Sequence, residues 1–158
     1  AYKIAFIIRM IPVFFIQSIL QHATKIKDKS KDEFHKFLSN YFKFGLLTTL
    51  IIAIITCFFS DFIIEIFADE KIDYSSKILS LLSFIPFLAM LNFKNVVYML
   101  VNDLKSKLNK ATFYTLLFFL INSLILTNIY GGYGLAYSLL LTEIFSFLIH
   151  YFLINRKS

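Results

Sequence analysis

Three stretches of this chain carry no charged side chain: residues 44–60, 78–93 and 111–142. A helix that crosses the hydrocarbon core of a bilayer needs about 20 predominantly apolar residues. It must be a helix or a closed barrel, because lipid offers nothing to an unpaired backbone N–H or C=O. With their flanks, the first two stretches each supply one such helix. The third is too long for one span and holds Gly131, Gly132 and Gly134, so it reads as parts of two helices joined by a turn. Composition agrees: the chain is 58% hydrophobic and 16% charged, against roughly 45–50% and 25% for soluble domains.

The expected fold class is therefore all-α: a polytopic membrane protein with about five transmembrane helices in a single transmembrane domain covering 1–158. The spans fall at about 5–23, 42–64, 78–101, 111–129 and 135–154. Pro12 lies inside the first, and Pro86 predicts a kink in the third. In the connector KIKDKSKDEFHKFLSNYFK, Phe34, Phe37, Leu38 and Tyr41 recur at helical spacing beside Lys31, Lys36 and Asn40. That pattern predicts a short amphipathic helix over 31–41, lying at the cytoplasmic membrane interface. Tyr130-Gly131-Gly132-Tyr133-Gly134 predicts a tight hairpin between the last two spans.

Loop charge orients these spans. Residues 24–43 hold six lysines against three acids, whereas 61–77 hold Asp61, Glu65, Asp69, Glu70 and Asp73 against two lysines. The 102–110 loop is basic again with Lys105, Lys107 and Lys110, the 130–134 turn is neutral, and the tail carries Arg156 and Lys157. Basic loops face the cytoplasm, so the amino end is expected outside and the carboxyl end cytoplasmic. The net charge of +6 is a matter of topology and membrane lipid, and no nucleic-acid partner is expected. A single cysteine, Cys57, excludes an internal disulfide. The chain opens at Ala1, without Met or a charged leader region. With an odd number of spans, that leads us to expect a fragment of a larger protein.

Three segments carry a resemblance. The first is AYKIAFIIRMIPVFFIQSIL followed by KDKSKDEFHKFLSNYFKFG, a helix, a basic connector and the entry to the next helix. The second is FFSDFIIEIFADEKIDYSSKILSLLSFIPFL, where an apolar helix gives way to a short acidic loop with a Tyr. The third is INSLILTNIYGGYGLAYSLLLTEIFSFLIHYFLI, an Asn-bearing helix, a Tyr-Gly turn and a final helix with Thr-Glu. In order and spacing the chain resembles the polysaccharide (O-antigen) flippases of the multidrug/oligosaccharidyl-lipid/polysaccharide exporter superfamily. It matches most of the carboxyl-terminal six-helix lobe of a twelve-helix exporter. Two prolines of that pattern are absent, with Ala23 and Thr24 at one place and Asn128 and Ile129 at the other. The resemblance implies export of undecaprenyl-diphosphate-linked oligosaccharide across the inner (plasma) membrane by alternating access. Its implied partners are that lipid-linked substrate and an amino-terminal lobe missing from this sequence, without which the piece would be inactive.

An ionisable group inside a span costs roughly 2.5–3.5 kcal/mol on insertion scales, which makes it a functional candidate. Glu143 falls near the middle of the last span and shares a helical arc with Ser138, Thr142, Ser146 and His150, opposite Ile144, Leu148 and Tyr151. Glu143 and His150 are the candidates for coupling to a proton or cation; the bland alternative is a helix–helix hydrogen bond. Lys94 shares the third span with Asn92, Asn95, Tyr98 and Asn102. Lys94, Asn92, Asn95 and Tyr98 are candidate substrate-binding residues, the lysine for a diphosphate and the amides for sugar hydroxyls. An ion pair of Lys94 with Glu143 competes with that role. Arg9, one turn inside its span, reads first as an arginine snorkelling to the outer interface, and second as a draw for anions. His22 and His35 sit beside water and are given no role.

No glycine-rich phosphate loop, no Cys or His pair at metal spacing and no Ser-His-Asp arrangement is present, so neither an enzyme nor a cofactor or metal is expected. A membrane-embedded polysaccharide polymerase or ligase ranks low, because the longest external loop, 61–77, holds no arginine. A multidrug or cation antiporter of the same superfamily is the closer alternative, since a shared fold does not fix the substrate. A non-transporting scaffold is the remaining one.

Overall fold

A computed structural model describes residues 1–156; Lys157 of the basic tail lies outside the described residues. Eight helices follow one another: α1 (Tyr2–Lys29), α2 (Lys31–Phe58), α3 (Ser60–Ala68), α4 (Asp73–Leu82), α5 (Ile85–Leu91), α6 (Phe93–Val101), α7 (Lys105–Tyr130) and α8 (Gly132–Asn155). No strand occurs among the described residues. Helices α1, α2, α7 and α8 and the 29-residue run Asp73–Val101, made of α4, α5 and α6, are each long and apolar enough to cross a membrane. The chain is thus an all-α, multi-pass membrane protein with five spanning units, as the charge-free stretches predict.

The helices run further than the apolar stretches because lysine, glutamate and alanine favour helix as readily as leucine does. Between α1 and α2 only Ser30 leaves the helical region, at φ −156° and ψ 130°. Its hydroxyl accepts a hydrogen bond from the Glu33 amide at 3.4 Å, and Asp32 and Glu33 complement the first turn's dipole.

The expected separate helix over 31–41 is corrected: it is the first part of α2, with no break before Phe58. No glycine or proline separates it from the span. Its apolar face does not lie on headgroups either, because Phe34 and Leu38 are buried with Ile19, Ala23, Phe93 and Val97. Amphipathic spacing records that one face is covered; the cover here is protein.

The second span also ends earlier than expected. Helix α2 stops at Phe58, and Ile63 and Ile64 belong to α3, which closes on Asp69 in the left-handed region at φ 56°. In the third span the kink anticipated at Pro86 falls in the turn before it, at Ser83 and Phe84. Pro86 has no N–H for the Leu82 carbonyl and its ring crowds that oxygen, so α4 ends at Leu82.

This broken third span is the centre of the bundle. It buries Leu79, Leu82, Ile85, Met90, Phe93 and Val97. Helices α1 and α2 pack on α5 from one side and α8 from the other, while α7 lies along α8 as the second arm of a hairpin. Gly131 makes the hairpin turn at φ 58° and ψ −134°, a conformation open essentially to glycine alone. Gly134 then lets the arms close: a Cβ there would sit 1.9 Å from the Leu126 carbonyl oxygen. Lower in the hairpin, the Phe118 and Phe145 rings stack at 4.2 Å.

The two ends of the bundle differ in charge. At one end meet the α1–α2 junction, the α6–α7 loop and the end of α8, tied by Lys27 Nζ donating to the Val101 carbonyl at 3.0 Å. At the other lie the acidic residues of α3 and its loop, the start of α1 and the α7–α8 turn, where Tyr74 and Tyr133 meet edge to face at 5.0 Å. Between the ends the outer surface is apolar, with Phe14, Leu47, Ile51, Leu120, Leu124 and Leu148 exposed. A water-soluble protein hides such a surface; a lipid-facing one presents it.

Candidate functional site

Three polar features interrupt this apolar bundle, and all three involve α8. The expected arc is real: Ser138, Thr142, Glu143 and His150 are buried, while Ile144, Leu148 and Tyr151 are exposed. Two of the features are open clefts, and the third is a closed seam.

The first cleft lies where α1 faces the α7–α8 hairpin. Arg9 reaches across it to Glu143, donating from Nε at 2.7 Å and from Nη2 at 2.6 Å, both to Oε1. The Glu143 side chain is 9% exposed and that of Arg9 46%, so one partner is sealed while the other opens to the cleft. The cleft encloses about 240 Å³ and is bordered by Thr112, Thr115, Leu116, Phe119, Leu139 and Thr142. Thr115 and Thr142 spend their hydroxyl protons on the carbonyls of Ala111 and Ser138. Their oxygens remain acceptors.

Two expectations are corrected at this point. Arg9 does not run outward toward the interface; its guanidinium reaches the buried Glu143 carboxylate instead. Glu143 is also not paired with Lys94. In this structure a cationic side chain, Arg9, already occupies the carboxylate.

The seam joins the α5–α6 junction to α8. Asn95 Nδ2 donates to Asn92 Oδ1 at 3.3 Å, which turns Asn92 Nδ2 toward α8. There it reaches Ser146 Oγ at 3.2 Å and His150 Nδ1 at 3.1 Å. His150 Nδ1 also lies 2.7 Å from the Ser146 carbonyl oxygen. A carbonyl only accepts, so Nδ1 carries the proton in that contact, and the Ser146 hydroxyl is the partner for Asn92. Asn92 and His150 are 7% and 4% exposed. Asn92 is thus a bridge between helices rather than a group presented to a ligand, and His150 does not meet Glu143. The two lie seven residues apart on α8, about 10 Å along the axis.

The second cleft, of about 340 Å³, brings together Lys94, Asn95 and Tyr98 from α6 with His35 and Leu38 from α2 and Tyr151 from α8. The Lys94 ammonium sits 4.6 Å from the Phe42 ring centre and 3.5 Å from Ser39 Oγ, the long limit of a hydrogen bond. It has no carboxylate partner among the described residues. Of the residues expected to bind substrate, Lys94, Asn95 and Tyr98 share this cleft. Arg9 lies in the other.

His35, expected beside water without a role, lines the second cleft, and Ser39, Thr112 and Thr115, none of them singled out by sequence, lie against Lys94 or border the first cleft. For His35 and Ser39 a signal existed, since both fall within a helical turn or so of Leu38 on the segment whose apolar face is buried. Thr112 and Thr115 gave none, because α7 is apolar around almost its whole circumference and no arc stands out. No group of His, Cys, Asp and Glu able to hold a metal ion occurs among the described residues. No family model, curated protein or solved structure matches the chain.

Proposed function

We propose that this chain is part of an inner-membrane exporter that moves a lipid-diphosphate-linked oligosaccharide by alternating access, its amino end outside and its carboxyl end cytoplasmic. The observation that carries the reading is the asymmetric Arg9–Glu143 pair. A guanidinium has five N–H donors, and Glu143 Oε1 takes two of them. The others stay free on a side chain that is 46% exposed in a cleft at membrane depth. An arginine so placed suits the planar, multiply anionic oxygens of a diphosphate. Glu143 holds the guanidinium in position when no anion is present. Lys94, with Asn95 and Tyr98, offers a second cation and hydrogen-bonding groups for the sugar at the other cleft.

The pair also bears on the rival reading. In a cation antiporter the mid-span carboxylate is the natural cation site, and a cation entering here would first have to displace Arg9. The resemblance to polysaccharide flippases supports the export reading further, and the alternation of basic and non-basic loops supports the orientation.

The test is complementation with the whole exporter that carries this chain, in a bacterium whose own polysaccharide flippase has been disabled, scoring surface polysaccharide and resistance to cationic drugs. Restored polysaccharide that is lost on Arg9→Ala and on Lys94→Ala, with drug resistance unchanged throughout, is the expected result. Drug resistance that follows these substitutions, with no polysaccharide restored, would transfer the proposal to the antiporter.

A further inference from the structure

The basic end of the α7–α8 hairpin has a feature that export does not use. Lys107 and Lys110 on α7 and Arg156 at the end of α8 border a cleft of about 550 Å³ that Phe145, Ile149 and Phe152 also line. On α8 these residues recur at 145, 149, 152 and 156, one continuous stripe of a helix surface. The stripe runs from aromatic rings within the span to a guanidinium at its end. Lys107 Nζ donates to the Arg156 carbonyl at 3.0 Å. That bond pins the start of α7 to the end of α8 and leaves the Arg156 side chain free of it.

The local charge is uncompensated. Asp103, the one acid of the adjoining loop, is 3.0 Å from Lys105, and the first turn of α7 holds no acid. Among the described residues neither Lys107, Lys110 nor Arg156 forms an ion pair. Phe152, directly beneath the cations, is 58% exposed.

We infer that this stripe is a binding site for an anionic phospholipid, its phosphate held by Lys107, Lys110 and Arg156 and an acyl chain lying along Phe152 and Phe145. Charge complementarity selects the lipid. A zwitterionic headgroup carries its own ammonium and gains little from further cations, whereas a net negative headgroup gains from each one. The apolar trough distinguishes a lipid from a free anion, since inorganic phosphate has nothing to lay against the two rings. The position suits it as well, because a basic pocket between helix ends at the membrane surface is where acidic headgroups lie.

The chain contains no tryptophan, so Phe152→Trp introduces a single tryptophan into the trough, excited selectively over the tyrosines. The protein carrying it is reconstituted into vesicles of equal parts phosphatidylglycerol and phosphatidylcholine, with bromine on the acyl chains of one lipid or the other. A second reporter, Phe58→Trp, stands at an 82% exposed position at the far end of α2. Brominated phosphatidylglycerol should quench the Phe152→Trp reporter with a preference of roughly fivefold over brominated phosphatidylcholine, and the Phe58→Trp reporter with none. The combined Lys107→Gln, Lys110→Gln and Arg156→Gln changes should abolish the preference, and inorganic phosphate should leave it intact. Equal quenching by the two lipids would overturn the inference, as would the same preference at both reporters or its survival in the triple variant. Relief by inorganic phosphate would also overturn it, in favour of a free-anion site. If the triple variant does not insert, the two-reporter comparison and the phosphate addition still decide.

Discussion

Glu143 and His150 lie on the same helix, on the same buried face, each with polar partners from another part of the chain, yet they sit in opposite kinds of surroundings. His150 is held in a seam where α8 packs directly on α5 and α6, so Asn92, Asn95 and Ser146 enclose it. Glu143 faces α1 across an open cleft, and only the length of the Arg9 side chain closes the gap. Burial of the residue itself is thus a poor guide to its role. What differs is whether the partner can let go. The Asn92 amide and the His150 ring are spent within the seam, while Arg9 is half exposed and has donors to spare.

Breaking each region in turn should separate the two roles. The largest effect is expected from Arg9→Glu, which sets two carboxylates against each other in a partly desolvated site. Unfolding in detergent should show a loss of about 3 kcal/mol, most of it recovered when Glu143→Arg is added. Next comes Asn92→Leu, which strands the Ser146 and Asn95 groups that it now satisfies. The cost should be about 2 kcal/mol, with export per folded molecule unchanged. A drop in export beyond the loss of folded protein would move Asn92 from the seam to the site.

Glu143→Gln should be milder in stability, within about 1 kcal/mol, because the amide oxygen still accepts from Arg9 and a half-exposed guanidinium can be hydrated. Its transport assay should nevertheless show slower export, since the guanidinium no longer has a carboxylate to return to. The smallest effect concerns Ser138, on the same α8 face, whose fully buried hydroxyl has no hydrogen-bond partner. Ser138→Ala removes an unsatisfied group and should stabilise by up to about 1 kcal/mol. A loss of that size, read from the same unfolding curves, would mean that the hydroxyl has a partner after all.

The same contrast explains how far the sequence could be read. Charge-free stretches and the glycine turn are local, so five spans and the hairpin at Gly131 could be placed from residues alone. The arc of Ser138, Thr142, Glu143 and His150 was legible too, because helical periodicity says which residues share a face. It does not say what that face meets. Arg9 and Glu143 are 134 residues apart, and nothing in either neighbourhood distinguishes an arginine that snorkels outward from one that reaches across a cleft. Lys94 was an equally good partner on depth alone; the packing of α6 against α2 took it to Ser39 and Phe42 instead. The segment around Phe34 and Leu38 misled for a related reason, since an apolar stripe looks the same whether lipid or α1 covers it.

The central claim is that Arg9 serves the cargo as well as Glu143, and the charge-swapped protein, Arg9→Glu with Glu143→Arg, tests it most directly. The swap preserves an ion pair but moves the guanidinium from α1 to the buried side of the cleft on α8. Export of labelled lipid-linked sugar by the whole exporter in reconstituted vesicles should fall to background although the unfolding midpoint returns to that of the parent protein. Export restored together with stability would contradict the account, because it would mean that the pair only fastens α1 to α8.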